Sequence, residues 1–260
     1  MQKLRWHEMT APEIEDAVRE GHDVIFLPLG SVEMHGPHML TGCDTYIAEA
    51  LCLLMARRAG GLVLPPVHYS WPGATRNFAG TIRISQEETT RYIEAIVRSL
   101  VEQGFKKILL VSGHGGYRWL GPGFAREFFE RTAVPVIFMD VGMFRDGPQL
   151  SRVFEGKDGS YREASLLLGA LHILGKDGLL DLSGVQEDVA KQPTPSFGRV
   201  ARYGVIGHDC GTLEQHVAPR KDASRDKGVE YLKLLADRFA QLSSDLDGYL
   251  EFLSKKQSRS

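Results

Sequence analysis

The 260-residue sequence has few cysteines, little net charge and no long apolar run, and each shortage excludes a class of protein. Its three cysteines, Cys43, Cys52 and Cys210, are an odd number without CxxC spacing, which argues against a disulfide framework and against a cysteine zinc site. A net charge of −2 provides no basic field for nucleic acid or an anionic membrane. No stretch approaches the roughly 20 apolar residues of a membrane span, and the first residues lack the apolar core of a signal peptide. We therefore expect a cytoplasmic protein that acts on a small molecule.

The order of the apolar segments predicts the fold class. A chain of this length fits one α/β domain better than two small ones. Short β-prone runs alternate with amphipathic stretches, which predicts a mostly parallel sheet with helices on both faces. Strands are predicted at 24–27, 61–67, 107–112 and 134–139, and helices at about 10–20, 47–55, 85–103, 120–131, 161–174 and 223–253. We expect one domain over residues 1–254 and a disordered tail over residues 255–260.

Side chains that bind metals are concentrated in the loop after the first strand. The apolar run 24–27 is followed by Glu33, His35 and His38, and then by Asp44. Glu33 and His35 are two residues apart, so they point to the same side of an extended segment. Open α/β sheets bind ligands beyond the carboxyl ends of their strands, where this loop is expected. Carboxylates combined with imidazoles suit zinc, manganese or iron better than calcium.

A second strand-end loop carries another histidine. The run 107–112 leads into Gly113-His114-Gly115-Gly116. A glycine-rich loop of this kind can also hold a phosphate, but it lacks the Lys-Ser/Thr pair of a P-loop. His114 is therefore a candidate metal ligand contributed by a different strand.

Several of these residues have a structural interpretation as well. Asp44 precedes a helix-like segment and can cap that helix, bind a metal or do both. His38 is either catalytic or structural, and Cys43 is interpreted as a small buried thiol. The remaining histidines considered and one tryptophan are interpreted as packing or surface residues, namely His68, Trp71, His172, His208 and His216.

Together these motifs closely resemble the signature of the creatininase family of metal-dependent amidohydrolases. The resemblance depends on Gly-Ser-x-Glu-x-His-Gly-Pro-His at 30–38, on Asp44 and on the Gly-His-Gly-Gly loop. Supporting matches lie at 78–82, 163–165, 204–207, 223–224 and 227–228. The similarity extends over most of the chain.

The resemblance implies a single-domain, three-layer α/β/α sandwich that forms a homo-oligomer, a hexamer or a trimer. It also implies two divalent metal ions bridged by an aspartate, with zinc favoured and manganese or iron as alternatives. By position, Glu33, Asp44 and His114 would bind one ion. His35 and the bridging Asp44 would provide part of the second site.

The sequence departs from creatininase at three places near this site. Gly116 stands where creatininase has a metal-binding glutamate, so Glu163 is assigned as the missing carboxylate. Asp158 stands where creatininase has a catalytic histidine. The segment 72–75 replaces a Ser-x-Glu-His motif of the family. Creatinine is therefore not the expected substrate.

Two adjacent divalent ions lower the pKa of a shared water toward about 7 and polarise a carbonyl, so hydrolysis is the reaction that this site predicts. We expect the substrate to be a cyclic amide, a formamide or a related carbonyl compound. A proton must also reach the leaving group, and its candidate donors are Asp158, Tyr161, His38 and His208.

Four residues near the divergent segment and the second loop are assigned to substrate binding, namely Arg76, Asn77, Gly115 and Tyr117. A hydroxylated or anionic substrate could be bound by Arg76, Asn77, Tyr161 and Arg162. Three other functions stay open: hydrolytic C–C cleavage of a cyclic keto-polyol of the inosose type, isomerase or lyase chemistry on a keto-sugar, and non-catalytic metabolite binding.

Overall fold

The computed structural model describes residues 3–142, 148–185 and 210–257. Its sheet has the strand order β2-β1-β3-β4, and all of its strand pairs are parallel. The strands are β1 (Val24–Leu29), β2 (Gly61–Val63), β3 (Lys107–Ser112) and β4 (Val136–Asp140). Val24 is level with both Gly61 and Lys107, so β1 and β3 also end level with one another. The carboxyl ends of the two central strands therefore meet at one edge.

Helices connect and cover these strands. They are α1 (Ala11–Arg19), α2 (Cys43–Ala59), α3 (Gln86–Glu102), α4 (Tyr117–Thr132), α5 (Pro148–Val153), α6 (Gly159–Ile173), α7 (Leu213–His216) and α8 (Arg225–Gln257). Short 3₁₀ turns lie at Trp6–Glu8, Gly73–Thr75 and Asp177–Leu179. Within the described residues, no helix combines the length and the apolar character needed to cross a membrane.

Local sequence signals explain where the first helices begin and end. Thr10 and Glu13 form a capping box before α1, and Ser85 with Glu88 forms another before α3. These side chains satisfy backbone N–H groups that a helix leaves unpaired at its start. Gly60 ends α2 at a φ of 68°, a left-handed conformation that favours glycine.

The alternating side chains of β1 divide the core into two layers. Val24 and Phe26 belong to the cluster formed with α2, α5, α6 and α8. Ile25, Leu27 and Leu29 belong to the cluster formed with α1, α3 and α4. Helices thus bury both faces of a parallel sheet, and the predicted three-layer α/β/α sandwich is confirmed.

The structure differs from the sequence prediction at several element ends. The second strand stops at Val63 rather than Val67, because Pro65 and Pro66 have no N–H to donate to the ladder. Helix α8 continues to Gln257 and includes residues 255–257 of the predicted disordered tail. An i,i+4 ion pair between Glu251 and Lys255 supports this last part of the helix.

Candidate metal centre

The predicted ligands come together where β1 and β3 end. In the sheet, β2 lies on one side of β1 and β3 lies on the other, so the strand order reverses between β1 and β3. Open α/β sheets bind ligands at such a reversal. Gly30 follows β1 and Gly113 follows β3. A Cβ on Gly30 would overlap Thr45, and a Cβ on Gly113 would overlap the carbonyl oxygen of Asp44. The two glycines therefore let the start of α2 approach both strand ends.

Asp44 lies in the middle of the cluster. Its Oδ1 is 3.1 Å from Nε2 of His35, and its Oδ2 is 3.0 Å from Nδ1 of His114. On one side, Oε1 of Glu163 lies 3.7 Å from the same His35 nitrogen. On the other side, Oε1 of Glu33 lies 3.5 Å from the same His114 nitrogen. The five side chains thus form two groups that share Asp44, while their role as metal ligands stays a prediction.

Hydrogen bonds fix the orientation of both imidazole rings. Nδ1 of His35 lies 3.1 Å from the carbonyl oxygen of Glu33, and Nε2 of His114 lies 2.9 Å from the carbonyl oxygen of Trp71. A carbonyl only accepts, so these two nitrogens carry the hydrogens. The opposite nitrogen of each ring faces an oxygen of Asp44. Without a proton or a metal ion between them, the lone pair of each of these nitrogens would repel the lone pairs of the facing Asp44 oxygen. Imidazoles that are held in one orientation by such hydrogen bonds are typical of metal ligands.

The charges of the cluster shift the pKa values of its members. Burial alone lowers the pKa of His35, but the neighbouring carboxylates, Asp44 first, raise that pKa to about 10. Burial likewise opposes protonation of His114, while Glu33 and Asp44 raise its pKa to about 9. Burial raises the pKa of Glu33 to about 7, and it also raises the pKa of Glu163. The cluster therefore requires positive charge, which either protons or metal ions supply.

Unpaired buried atoms show that the cluster fits metal ions. Oδ2 of Asp44 and Nε2 of His216 are buried and have no hydrogen-bond partner with suitable geometry among the described residues. Possible ligand atoms lie within 4.8 Å of one another in three groups among the described residues, Glu33-Asp44-His114, Glu33-His35-His216 and His35-Cys43-Asp44. Mixed nitrogen and oxygen donors are suited to zinc, manganese or iron.

His216 is a member of the site that the sequence did not predict. It was interpreted as a packing or surface residue, but it lines the cavity above the cluster. Its Nε2 lies 3.8 Å from Oε1 of Glu33, and its ring packs edge-on against His35 at 5.2 Å. Burial and the positive charge of His35 lower its pKa to about 4, so it is neutral at pH 7. The four-residue helix α7 that carries it has no periodic pattern that would have revealed it.

Gly116 has a steric role beside His114. A Cβ at this position would overlap Nε2 of His114 and lie 3.1 Å from the carbonyl oxygen of Trp71. Gly116 therefore makes room for the hydrogen bond that orients His114. Trp71, which was interpreted as a packing residue, participates through its backbone carbonyl, and no sequence pattern marks such a contact.

A cavity of about 970 Å³ opens above the cluster. Of the residues assigned to substrate binding, Arg76 and Gly115 line it, whereas Asn77 and Tyr117 are not among its described lining residues. Asn77 is exposed. Tyr117 is 1% exposed, and its ring packs edge-on against His114. Its contribution is thus to support His114 from behind.

The predicted proton donors lie away from the described cavity wall. Asp158 is the N-cap of α6, where its Oδ1 accepts from the backbone N–H of Tyr161 at 2.8 Å and its Oδ2 faces Arg220. Tyr161 is 3% exposed and packs in the core against Phe154. The ring of His38 is half-buried, and neither of its nitrogens has a hydrogen-bond partner among the described residues. The fourth candidate, at position 208, and the family-like segment 204–207 lie outside the described residues.

Two of the alternative interpretations are resolved by the position of each residue in its helix. Gly42 is the N-cap of α2, so Asp44 lies within the first turn and does not cap the helix. Glu163 lies beyond the first turn of α6 and reaches toward His35. Cys43 is fully buried, burial raises the pKa of its thiol, and its sulfur lies within 4.8 Å of possible ligand atoms of His35 and Asp44.

The sequence model of one protein family, creatininase (creatinine amidohydrolase), matches residues 7–243. The chain belongs to the creatininase family. This match covers the four described strands, helices α1 to α7, α8 as far as residue 243, and every member of the cluster.

Curated relatives of this creatininase-family chain have different activities. Creatinine amidohydrolase of Pseudomonas putida is 33% identical over 112 residues, which are 41% of this chain and 43% of that protein. The 3-dehydro-scyllo-inosose hydrolase of Thermotoga maritima is 28% identical over 137 residues, 52% of this chain and 43% of that protein. The mycofactocin precursor peptide peptidase of Mycobacterium ulcerans is 37% identical over 101 residues, 35% of this chain and 40% of that protein. Each match spans less than half of the relative.

Solved creatininase structures share the whole architecture. A structure described as creatininase Mn superposes with a TM-score of 0.73 at 25% identity, over 94% of this chain and 98% of the other. A creatininase variant of the Zn-Zn type has a TM-score of 0.73 at 24% identity, over 94% of this chain and 99% of the other. Members of this fold family are thus known with manganese and with zinc.

Proposed function

We propose that this protein is a divalent-metal-dependent hydrolase that cleaves an amide, either a cyclic amide or a formamide, or a related carbonyl compound. The observation that carries the proposal is the pair of oriented imidazoles that face the two oxygens of one buried aspartate. Glu33, Asp44 and His114 would hold one ion, and His35, Asp44 and Glu163 would hold the second. Zinc is the favoured metal, and manganese and iron are alternatives. When bound, such a pair of ions polarises a carbonyl and makes water a nucleophile near neutral pH.

His216 is our candidate for proton transfer. Its Nε2 lies in the cavity wall next to Glu33 and has no hydrogen-bond partner among the described residues. A neutral imidazole can accept a proton and pass it to a leaving group. Replacing it in His216→Asn should lower kcat while the metal content stays unchanged. A variant with wild-type kcat would contradict this role.

Metal analysis and turnover together test the proposal. Protein grown with zinc or manganese should contain about two equivalents of metal, and chelation should abolish turnover. His35→Ala and Asp44→Ala should lose both metal and turnover, because each removes a donor from the middle of the cluster. His172→Ala is a matched control, since this histidine is exposed and pairs with Asp177. Turnover that survives in Asp44→Ala would refute a mechanism based on two metals.

A substrate panel distinguishes the bond types. We would assay formamides, lactams and cyclic keto-polyols on the metal-loaded enzyme. Hydrolytic C–C cleavage of a cyclic keto-polyol is our second candidate function, because a stretch of 137 residues resembles the inosose hydrolase of Thermotoga maritima. Exclusive turnover of a keto-polyol would replace the amide proposal with this one.

We further propose that the protein works in the cytoplasm as a homo-oligomer, a trimer or a hexamer. The odd number of cysteines without CxxC spacing supports a reducing compartment. Sedimentation equilibrium of the metal-loaded protein would measure the oligomer size. A monomer at micromolar concentration would contradict the assembly.

A further inference from the structure

A second charged feature of the cavity wall is the guanidinium group of Arg118, at the start of α4. Its Nε donates to Oδ1 of Asp140 at 2.8 Å. Asp140 ends β4 and is fully buried, and the same oxygen accepts from the backbone N–H of Gly142 at 2.8 Å. Asp140 is therefore itself fixed, and it holds the guanidinium by one edge.

Gly142 makes room for this arrangement. A Cβ on Gly142 would overlap Nη2 of Arg118 and lie 3.1 Å from Oδ1 of Asp140. The φ of Gly142 is not in the left-handed region, so its backbone does not require glycine. The guanidinium of Arg118 occupies the space that a side chain at position 142 would fill. The guanidinium is thus packed against the backbone of Gly142, just beyond β4.

The opposite edge of the guanidinium is available to a ligand. Arg118 lines the cavity, and its side chain is 41% exposed. Across residues 3–142, 148–185 and 210–257, Asp140 is the one acidic side chain that pairs with it, and it does so through Nε. The two terminal nitrogens form a planar fork that matches the two oxygens of a carboxylate.

The charges around the cavity favour an anion at this position. Glu33, Asp44 and Glu163 are its acidic described lining residues, and all three belong to the metal cluster. Apart from the histidines of the cluster, the basic side chains of the described wall are Arg76, Arg118 and Arg162. Trp119, next to Arg118, lines the same wall and is 63% exposed, which adds an apolar surface.

We propose that Arg118 is a substrate-binding residue and that the substrate is an amide with a free carboxylate, such as an N-acylated amino acid with an apolar side chain. This inference rests on the proposed hydrolase function. The carboxylate binds the free edge of Arg118, the apolar side chain contacts Trp119, and the amide lies toward the cluster. Asp140 and Gly142 position the guanidinium and do not touch the substrate.

Matched ligand pairs test this inference. N-formyl-L-leucine and N-formyl-L-phenylalanine would be compared with their primary carboxamides, by calorimetry on metal-free and zinc-loaded protein and by turnover on the zinc-loaded enzyme. We expect each acid to bind about 10-fold or more tightly than its carboxamide, in both metal states, because a charge-assisted hydrogen-bonded pair is lost in the carboxamide. Equal binding, or no binding of either compound, would overturn the inference. Tighter binding of inorganic phosphate than of the acids would overturn the choice of a carboxylate.

Three variants show whether Arg118 causes the preference. Arg118→Gln should abolish it, whereas Arg126→Gln, on the exposed face of the same helix, should retain it. Gly142→Ala keeps every charge but fills the place of the guanidinium, so it should also lose most of the preference. Thermal unfolding confirms that each variant is folded. A preference for the acid that persists in folded Arg118→Gln would overturn the assignment.

The two proposals fail in different ways. A preference for the acids without their turnover would support the role of Arg118 and refute the acids as substrates, whereas no turnover of any compound in the substrate panel would refute the hydrolase. Equal turnover of the acids and the carboxamides would support the hydrolase and refute the role of Arg118.

Discussion

Helices α6 and α8 cross at two glycines, and this crossing provides a quantitative test of the packing. A Cβ on Gly169 of α6 would lie 2.5 Å from both the carbonyl carbon of Gly228 and the backbone nitrogen of Val229. Ordinary contact begins at 3.4 Å, so Gly169→Ala requires the helices to separate by about 0.9 Å. Because both neighbouring atoms belong to the backbone, no side-chain rotation can relieve the overlap.

We expect Gly169→Ala to destabilise the protein. Overpacking of this kind costs about 1–3 kcal/mol, and each kcal/mol lowers the Tm of a chain of this size by about 2–4 °C. Helix propensity acts in the opposite direction and favours alanine by about 1 kcal/mol. Gly248→Ala measures that contribution alone, since Gly248 is exposed in α8 and a Cβ there would contact nothing. Gly248→Ala should therefore stabilise the protein.

Urea unfolding of the metal-free proteins, followed by circular dichroism, would compare the two variants. The free energy of unfolding should fall in Gly169→Ala and rise in Gly248→Ala. Helix α6 also carries Glu163, 3.7 Å from His35, so the shifted helix should bind metal more weakly in Gly169→Ala. If both variants gained stability equally, the close contact between α6 and α8 would be refuted.

Three further predictions concern the site. Gly116→Ala should weaken zinc binding by about 10- to 100-fold, because a Cβ would disrupt the hydrogen bond that orients His114. Competition with a chromophoric chelator measures the zinc affinity, and an unchanged affinity would contradict the prediction. Asp158→Ala should cost about 1 kcal/mol as a lost N-cap with kcat unchanged, whereas a large loss of kcat would restore Asp158 as a catalytic residue. Zinc at 100 times its Kd should stabilise the metal-free protein in calorimetry by about 2.7 kcal/mol for each of the two ions, and the same total gain in His35→Ala would exclude the cluster as the zinc site.

Local sequence patterns were sufficient for the elements of the sheet and for much of the cluster. Strand β3 has the predicted bounds, and the capping boxes locate the starts of α1 and α3. Glu33, His35 and His114 lie in loops directly after β1 and β3. Because parallel neighbouring strands end at one edge, identifying the two strand ends already places these side chains close together.

Packing between segments that are distant in the sequence decided the remaining features of the cluster. The approach of Glu163 to His35 depends on how α6 lies against the rest of the fold, and that packing includes the glycine contact with α8. His216 enters the site from a four-residue helix, and the carbonyl of Trp71 orients His114 from another loop. Such contacts join residues far apart in the chain, so no local periodicity encodes them.

The sequence by itself determined a parallel α/β fold and a loop that combines carboxylates with imidazoles, because strand ends and ligand types are local properties. Only the tertiary structure decided how the cluster is arranged around Asp44, which nitrogen of each imidazole faces it, and which side chains line the cavity. It placed Asp158 at the N-cap of α6 and Tyr161 in the core. It also brought Arg118 to the cavity wall. The orientation of the Arg118 guanidinium depends on a hydrogen bond to Asp140, which lies in β4, the strand that follows α4 in the chain.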